Sequence, residues 1–282
     1  MSISIGLIGC GRVGAFWLRS ALACGLDVDA RVRAPETCPV DLQPSLKKID
    51  ELRAGEWSKR DLIILAVPEG SWSDVCDTLA PVIGVETVVA HTSGAYGHGA
   101  LEAAGIESSR CSSIHPLYPF RSAKVSPPSP EVSHGISGSE ESLVKCKAVL
   151  SAVGSRYFVL HEDKRRLYHL ACVLASNHLV TLAAIAQRIG SESTDEQGVF
   201  YDALTGLMAA SVDNLRAEER PEDALSGPVL RGDVATLGHH IEALSGDPDL
   251  VDFYRSLIKH TIPLAPLEHR KGLEDFLSVD ES

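Results

Sequence analysis

Ile3-Ser4-Ile5-Gly6-Leu7-Ile8-Gly9-Cys10-Gly11-Arg12-Val13-Gly14 opens the chain and decides its fold. The stretch Ile3–Ile8 is strand-like, and Val13–Cys24 reads as the helix that follows. Between them the glycines stand in a G-x-G-x-x-G arrangement. Gly9 permits a tight turn, Gly11 lets the backbone approach a pyrophosphate, and Gly14 lets helix and strand pack closely. The helix N-terminus then offers free N–H groups and the positive end of its dipole to phosphates. Such a spacing, placed directly after a strand and at the opening of a helix, predicts a dinucleotide-binding βαβ unit. Gly9, Gly11, Arg12, Val13 and Gly14 are its first candidate cofactor contacts.

The pattern continues outward. Apolar runs at Ile3–Ile8, Val28–Val32, Leu62–Val67, Thr87–His91 and Tyr157–Leu160 read as strands. Helices are expected near Val13–Cys24, Leu46–Leu52, Trp72–Ile83 and Glu140–Val153. Strands alternating with helices imply crossover connections and a mostly parallel, doubly wound sheet, covered on both faces because its strands are near-continuously apolar. His115 ends a further strand. Ser126-Pro127-Pro128-Ser129-Pro130 lies in a surface loop beyond it.

After Leu160 strand signals cease. Glu162 to Ile189 reads as one helix of some 28 residues, about 42 Å long. Its apolar part, Leu170–Ala186, is interrupted by Ser176-Asn177-His178, falls short of a bilayer span, and reads as a buried helix. Further helices are expected at Thr194–Arg216, at Asp233–Leu244 with Asp233 as N-cap, and at Leu250–Leu264. The last dozen residues are polar and expected to be loose. The organisation is thus a Rossmann domain over residues 1–160 and an all-helical domain over 161–282.

Composition narrows the class. The 282 residues carry 38 acidic and 26 basic side chains, a net charge of −12. A general nucleic-acid or anionic-membrane binder needs the opposite sign. Seven scattered cysteines without a C-x-x-C pair argue for reduced thiols in a cytoplasmic protein rather than a disulfide framework or a zinc site. His239 and His240 are adjacent, so they point to different helix faces, and no metal is expected.

The end of the second strand selects the dinucleotide. About 20 residues past the glycines stands Arg31-Val32-Arg33-Ala34-Pro35, which is basic where an NAD enzyme usually has an acid. Arg33 can pair with a 2′-phosphate, predicting NADP(H). The alternative leaves Arg33 solvated and gives the ribose to Asp29 or Glu36.

The sequence resembles the bacterial proteins that join a Rossmann-like NADP-binding domain to a helical C-terminal domain of unknown function. These stand among the 6-phosphogluconate dehydrogenase C-terminal-like proteins, with ketopantoate reductase, pyrroline-5-carboxylate reductase and β-hydroxyacid dehydrogenases. The resemblance is carried by Gly9–Gly14, Asp61–Pro68, His91–Ala95, Ser113–Leu117, Tyr168–Ala171, Ser176-Asn177, Gly227-Pro228 and Arg231–Asp233. Glu69 stands where the pattern has aspartate. The resemblance implies that Val67 and Pro68 lie against the cofactor's ribose and nicotinamide side, that Ser93-Gly94 lines the next loop, and that the protein is a homodimer.

Candidate chemistry follows from polar residues in apolar surroundings. His169, Ser176 and Asn177 share one face of the long helix and must be either paired or turned to a ligand. His169 is the candidate proton donor or acceptor and Asn177 the residue that orients a carbonyl or imine, with Ser176 beside them. A structural hydrogen-bond network is the competing reading. Val173 occupies the position where related reductases have a lysine four residues before the asparagine. His115 is either a substrate or nicotinamide contact or a core histidine, and Arg231 either holds a substrate carboxylate or pairs with Asp233. The combined expectation is an NADP(H)-dependent oxidoreductase for a small keto, hydroxy or imino acid, with its site at the interdomain cleft. Its competitors are a non-catalytic dinucleotide-binding sensor or regulatory protein, and an enzyme that reduces a deazaflavin.

Overall fold

The computed structural model describes residues 3–278. Strand β1 (Ser4–Ile8) leads through the glycine turn into helix α1 (Arg12–Ala23), and β2 (Asp27–Val32) returns beside β1. There follow β3 (Leu46–Lys48), β4 (Leu62–Leu65), α2 (Trp72–Leu79), β5 (Val88–His91) and β6 (Cys111–Leu117). The first half closes with β7 (Ser133–Gly138), α3 (Glu140–Ala152) and β8 (Arg156–Val159). The eight strands form one sheet in the order β3-β2-β1-β4-β5-β6-β7-β8. Pairing is parallel except between β6 and β7, so β7 and β8 run against the first six. The order 3-2-1-4-5-6 is that of the dinucleotide-binding sheet, with its topological switch between β1 and β4.

Alternate residues build the two faces. Leu62 and Ile64 of β4 join Phe16, Trp17 and Leu18 of α1 and Val149 and Leu150 of α3 in one core. Ile63 and Leu65 join Trp72, Val75 and Leu79 of α2 in the other. Each side chain is removed from water on both sides of the sheet, at about 1.5–3 kcal/mol apiece. Ser139 caps α3, its hydroxyl accepting from the Ser142 amide.

Beyond β8 the chain is helical: α4 (Arg165–Gly190), α5 (Gln197–Ala217), α6 (Val234–Ala243), α7 (Pro248–Thr261) and α8 (Leu267–Ser278). Asp233 caps α6, accepting from the Thr236 amide at 3.1 Å. Val229, Leu237, Ile258, Ile262 and Leu273 form a small core. By compactness the chain divides after Leu179, within α4, rather than at the β8–α4 junction where the strand signals end.

Several expectations are corrected. Leu46–Leu52 is strand β3 and a 3-10 turn over Ile49–Glu51, not a helix. Its Leu46, Ile49 and Leu52 mimic helical spacing, but pairing with β2 wins. The Ser- and Gly-rich β7 carries little intrinsic strand preference and is held by β6 on one side and β8 on the other. The C-terminal segment is helix α8 as far as Ser278, because Leu273 is fully buried; residues 279–282 lie outside the described part. The long helix is not a buried one. The helical segment Glu162–Ser193 is long and apolar enough to cross a membrane by length and composition, and none of its apolar window is buried. Apolarity in a sequence reports that a face needs cover, not where the cover comes from.

Candidate active site

The carboxyl ends of β1, β4, β5 and β6 lie at one edge of the sheet, and the loops that leave them carry most of the candidate residues. At β1, Gly9 takes φ +98°, and a Cβ there would stand 2.4 Å from the Ala66 carbonyl. A Cβ on Gly14 would stand 2.1 Å from the Gly9 carbonyl. Gly9 is therefore demanded by its left-handed backbone and the close approach of the segment after β4, and Gly14 by the packing of helix against turn. Gly11 is different. A Cβ added to it meets no described atom within 4 Å, so nothing in the protein requires glycine at this position. The N-terminus of α1 has no side-chain cap and no acid in its first turn. Open backbone, uncapped amides and an unopposed positive dipole end fit a pyrophosphate. Arg12 is exposed beside the loop, its Nη1 donating to the Phe120 carbonyl at 3.3 Å. Val67 reaches the same turn, its Cγ1 standing 2.9 Å from where a Gly9 Cβ would be.

The tip of β2 settles one of the alternatives for the ribose. Asp29 is buried and accepts from Arg31 Nη2 at 2.8 Å and from Trp57 Nε1 at 2.9 Å. Burial alone raises its pKa, but those hydrogen bonds and the Arg31 and Lys47 charges hold it below the usual carboxylate range. A carboxylate so committed is not available to a ribose. Arg33 is exposed at the strand's end. Glu36 is exposed in the 3-10 turn Pro35–Thr37 that follows.

Pro68 is exposed and precedes the 3-10 turn Glu69–Ser71, so it forms a turn as well as edging the loop. Ser93 Oγ donates to Glu69 Oε1 at 2.9 Å, tying the loop after β4 to the loop after β5. The Ser93 amide donates to His91 Nδ1 at 3.2 Å, and His91 Nε2 donates to the Gly97 carbonyl at 2.8 Å. His91 is fully buried, and that burial lowers its pKa to about 4.

Gly94 is the centre of a polar cluster. The place of its absent Cβ lies 2.7 Å from His115 Nε2 and 2.9 Å from His169 Cδ2, so two candidate catalytic histidines converge on one glycine. His115 Nδ1 and the Tyr168 hydroxyl are 2.6 Å apart. We assign the shared proton to Tyr168, the group whose pKa burial drives above the usual phenol range. His115 then presents an N–H at Nε2. Its pKa is lowered to about 4, by burial first and next by the charge of Arg165. Tyr168 fits because Gly135 lies opposite His115 across β6 and β7; a Cβ there would stand 2.8 Å from the hydroxyl.

Arg165, at the start of α4, holds this turn from within. It is 3% exposed. Its Nη2 donates to the Ser93 carbonyl at 2.6 Å, Nε to the Gly94 carbonyl at 2.9 Å and Nη1 to Ser113 Oγ at 2.9 Å. Sequence reading gave no role to Arg165, Tyr168 or Gly135: a basic residue at the head of a helix and a glycine in a weak strand carry no motif, and Tyr168 entered only among the residues that carry the resemblance. Farther along α4, Ser176 is half-buried and Asn177 is exposed. Arg231 belongs to the second compact unit, 4.0 Å from Asp233 Oδ2 and mostly solvated.

Comparison with known proteins bears on the fold. No curated protein matches the sequence. Among solved structures, protein TM1727 from Thermotoga maritima is similar at TM-score 0.71 and 23% identity, over 96% of this chain and 98% of that one. A pyrroline carboxylate reductase from Plasmodium falciparum, solved with NADP bound, follows at 0.58 and 12%, over 94% and 98%. A prephenate dehydrogenase from A. aeolicus, in complex with NAD+, gives 0.55 and 16%, over 98% and 96%. At these identities the likeness is one of fold, shared with NAD(P)-dependent reductases and dehydrogenases. Family models for a Rossmann-like domain and for a domain of unknown function (DUF2520) match residues 1–116 and 132–261. The chain is a Rossmann-like N-terminal domain joined to a DUF2520 C-terminal domain.

Proposed function

We propose that this protein is an NADP(H)-dependent oxidoreductase acting on a small keto, hydroxy or imino acid. The observation that carries the reading is Gly11: open backbone over the uncapped head of α1, at the switch point of a sheet in dinucleotide-binding order. Gly9 and Gly14 shape the turn, and Arg12, Val13, Val67 and Pro68 edge it. Arg33 supplies the positive charge for a 2′-phosphate, and with Asp29 committed to Arg31 and Trp57 no free carboxylate stands at the carboxyl end of β2 to oppose it. A bound nicotinamide supplies or removes the hydride.

The protein's own contribution lies around Gly94. His169 gives or takes the proton, His115 donates a hydrogen bond to the reacting group, and Asn177 with Ser176 orients it. A second copy of the chain covers the exposed apolar residues of α4, among them Leu167, Leu170, Leu174 and Val180.

Thermal-shift titration with NADPH, NADP, NADH and NAD tests the cofactor assignment, since a ligand of the native state raises its apparent stability. The phosphorylated pair should stabilise selectively. Equal shifts from both pairs remove Arg33's role, and no shift from any of the four overturns the reading. Binding without NADPH oxidation across a panel of 2-oxo and imino acids identifies a sensor instead.

A further inference from the structure

We propose that Arg165 is a positioning residue that clamps the Ser93–Gly94 turn and sets the charge of the cluster around it, so that the site takes a carbonyl substrate rather than a protonated imine. The inference rests on the oxidoreductase reading and narrows its substrate class.

Three observations carry it. First, the guanidinium spans two consecutive carbonyls and the Ser113 hydroxyl, so it fixes the backbone against which both His115 and His169 pack. Second, it is buried and bonded only to neutral oxygens. No carboxylate lies within ion-pair distance of it among the described residues, and the acid that faces it, Glu162, is bonded to His98. A buried cation with no carboxylate bonded to it is costly, and the distant, His98-bonded Glu162 offsets only part of the positive potential it projects into its surroundings. Third, that potential acts on His115, which is also faced by Tyr168 and His169 on α4, His134 on β7 and His91 on β5. None of these bears a negative charge near neutral pH, so His115 stays an uncharged donor.

The two substrate classes differ in the charge they bring. When a carbonyl carbon accepts a hydride, the displaced electron pair settles on oxygen, which then takes one proton. A neutral N–H and a nearby cation stabilise that oxygen. A protonated imine must enter as a cation beside the Arg165 cation, and on accepting hydride it needs no proton.

The test uses the full chain. Imidazole 15N shifts are followed from pH 3.5 to 8 in wild type, Arg165→Met and Arg165→Lys. Arg165→Met should raise the His115 midpoint by about one unit, a tenfold gain in proton affinity. A folded Arg165→Met with an unmoved His115 midpoint overturns the charge argument. Arg165→Lys keeps the charge but cannot bridge both carbonyls. It should retain the low midpoint while the amides of Ser93 and Gly94 exchange at least tenfold faster; unchanged exchange overturns the clamp. With NADPH, 2-oxo acids should be turned over with at least tenfold higher kcat/KM than cyclic imino acids, and the reverse order overturns the substrate assignment. NADPH bound but consumed by neither class refutes the oxidoreductase reading itself, and the imidazole and exchange measurements then decide the clamp on their own.

Discussion

Lowering the pH from 7 to 5 should unfold the sheet domain more readily than its carboxylates alone explain, because three buried imidazoles refuse a proton. His91, His115 and His134 each have a pKa lowered from 6.5 to about 4, burial being the largest cause in every case. In the native state they are neutral at pH 5, while in the unfolded chain they are mostly charged. The unfolded state therefore binds more protons, and stability falls as the pH drops from 6.5 towards 4. Between pH 7 and 5 each histidine accounts for about 2 kcal/mol, and the three for about 5 to 6, comparable to the whole stability of a modest domain. The assay is urea unfolding followed by tryptophan fluorescence. Trp17, Trp57 and Trp72 are the chain's three tryptophans and all belong to the first compact unit, so the signal reports that unit. His134 stacks on Phe16 with ring centroids 5.9 Å apart and leans on Trp17, so His134→Phe replaces it with an apolar ring of similar shape. That variant should lose about a third of the pH dependence. A His134→Phe protein with the full wild-type loss, or a wild type equally stable at pH 7 and 5, refutes the reasoning.

Three further outcomes are expected. Gly11→Ala should fold with wild-type stability, because its Cβ meets nothing, yet bind NADPH at least tenfold more weakly by calorimetry; Gly14→Ala should instead lower the melting temperature. Gly135→Ala should displace the Tyr168 hydroxyl and break its bond to His115, visible as a changed His115 imidazole spectrum, with a cost of about 1–3 kcal/mol in urea unfolding. If α4 pairs two copies as proposed, wild type should sediment as a dimer and Leu170→Glu with Leu174→Glu as a monomer, both side chains being more than half exposed, and a monomeric wild type overturns that pairing.

The fold was legible from Ile3–Gly14 because the constraint there is local: strand, turn and the start of the helix lie within a dozen residues, and Gly14 answers to the Gly9 carbonyl only angstroms away. The same holds for Asp233 as a cap. The polar cluster was legible only in part. His115 and His169 could be named as polar residues in apolar surroundings, but not their convergence on Gly94, since they lie 54 residues apart in the chain. Tyr168 reaches His115 over Gly135, which the antiparallel register of β6 and β7 sets opposite His115, a pairing that Ser133–Gly138 does not advertise. The sequence reading also took the apolarity of α4 as burial, because composition cannot distinguish cover by the same chain from cover by another.

The crossing of α4 from one compact unit into the other has an evolutionary side. A natural place to exchange domains by recombination is the junction of β8 and α4, where the strand pattern ends. A cut there would leave a complete eight-stranded sheet and all its glycines, but it would take away Arg165, Tyr168 and His169. The donated sheet would keep its dinucleotide loop and lose the inner brace of the Ser93–Gly94 turn. The structural module of this protein therefore extends at least one helical turn beyond the Rossmann-like sheet, and a cut at the visible seam would separate the glycine loop from the residues that brace Gly94.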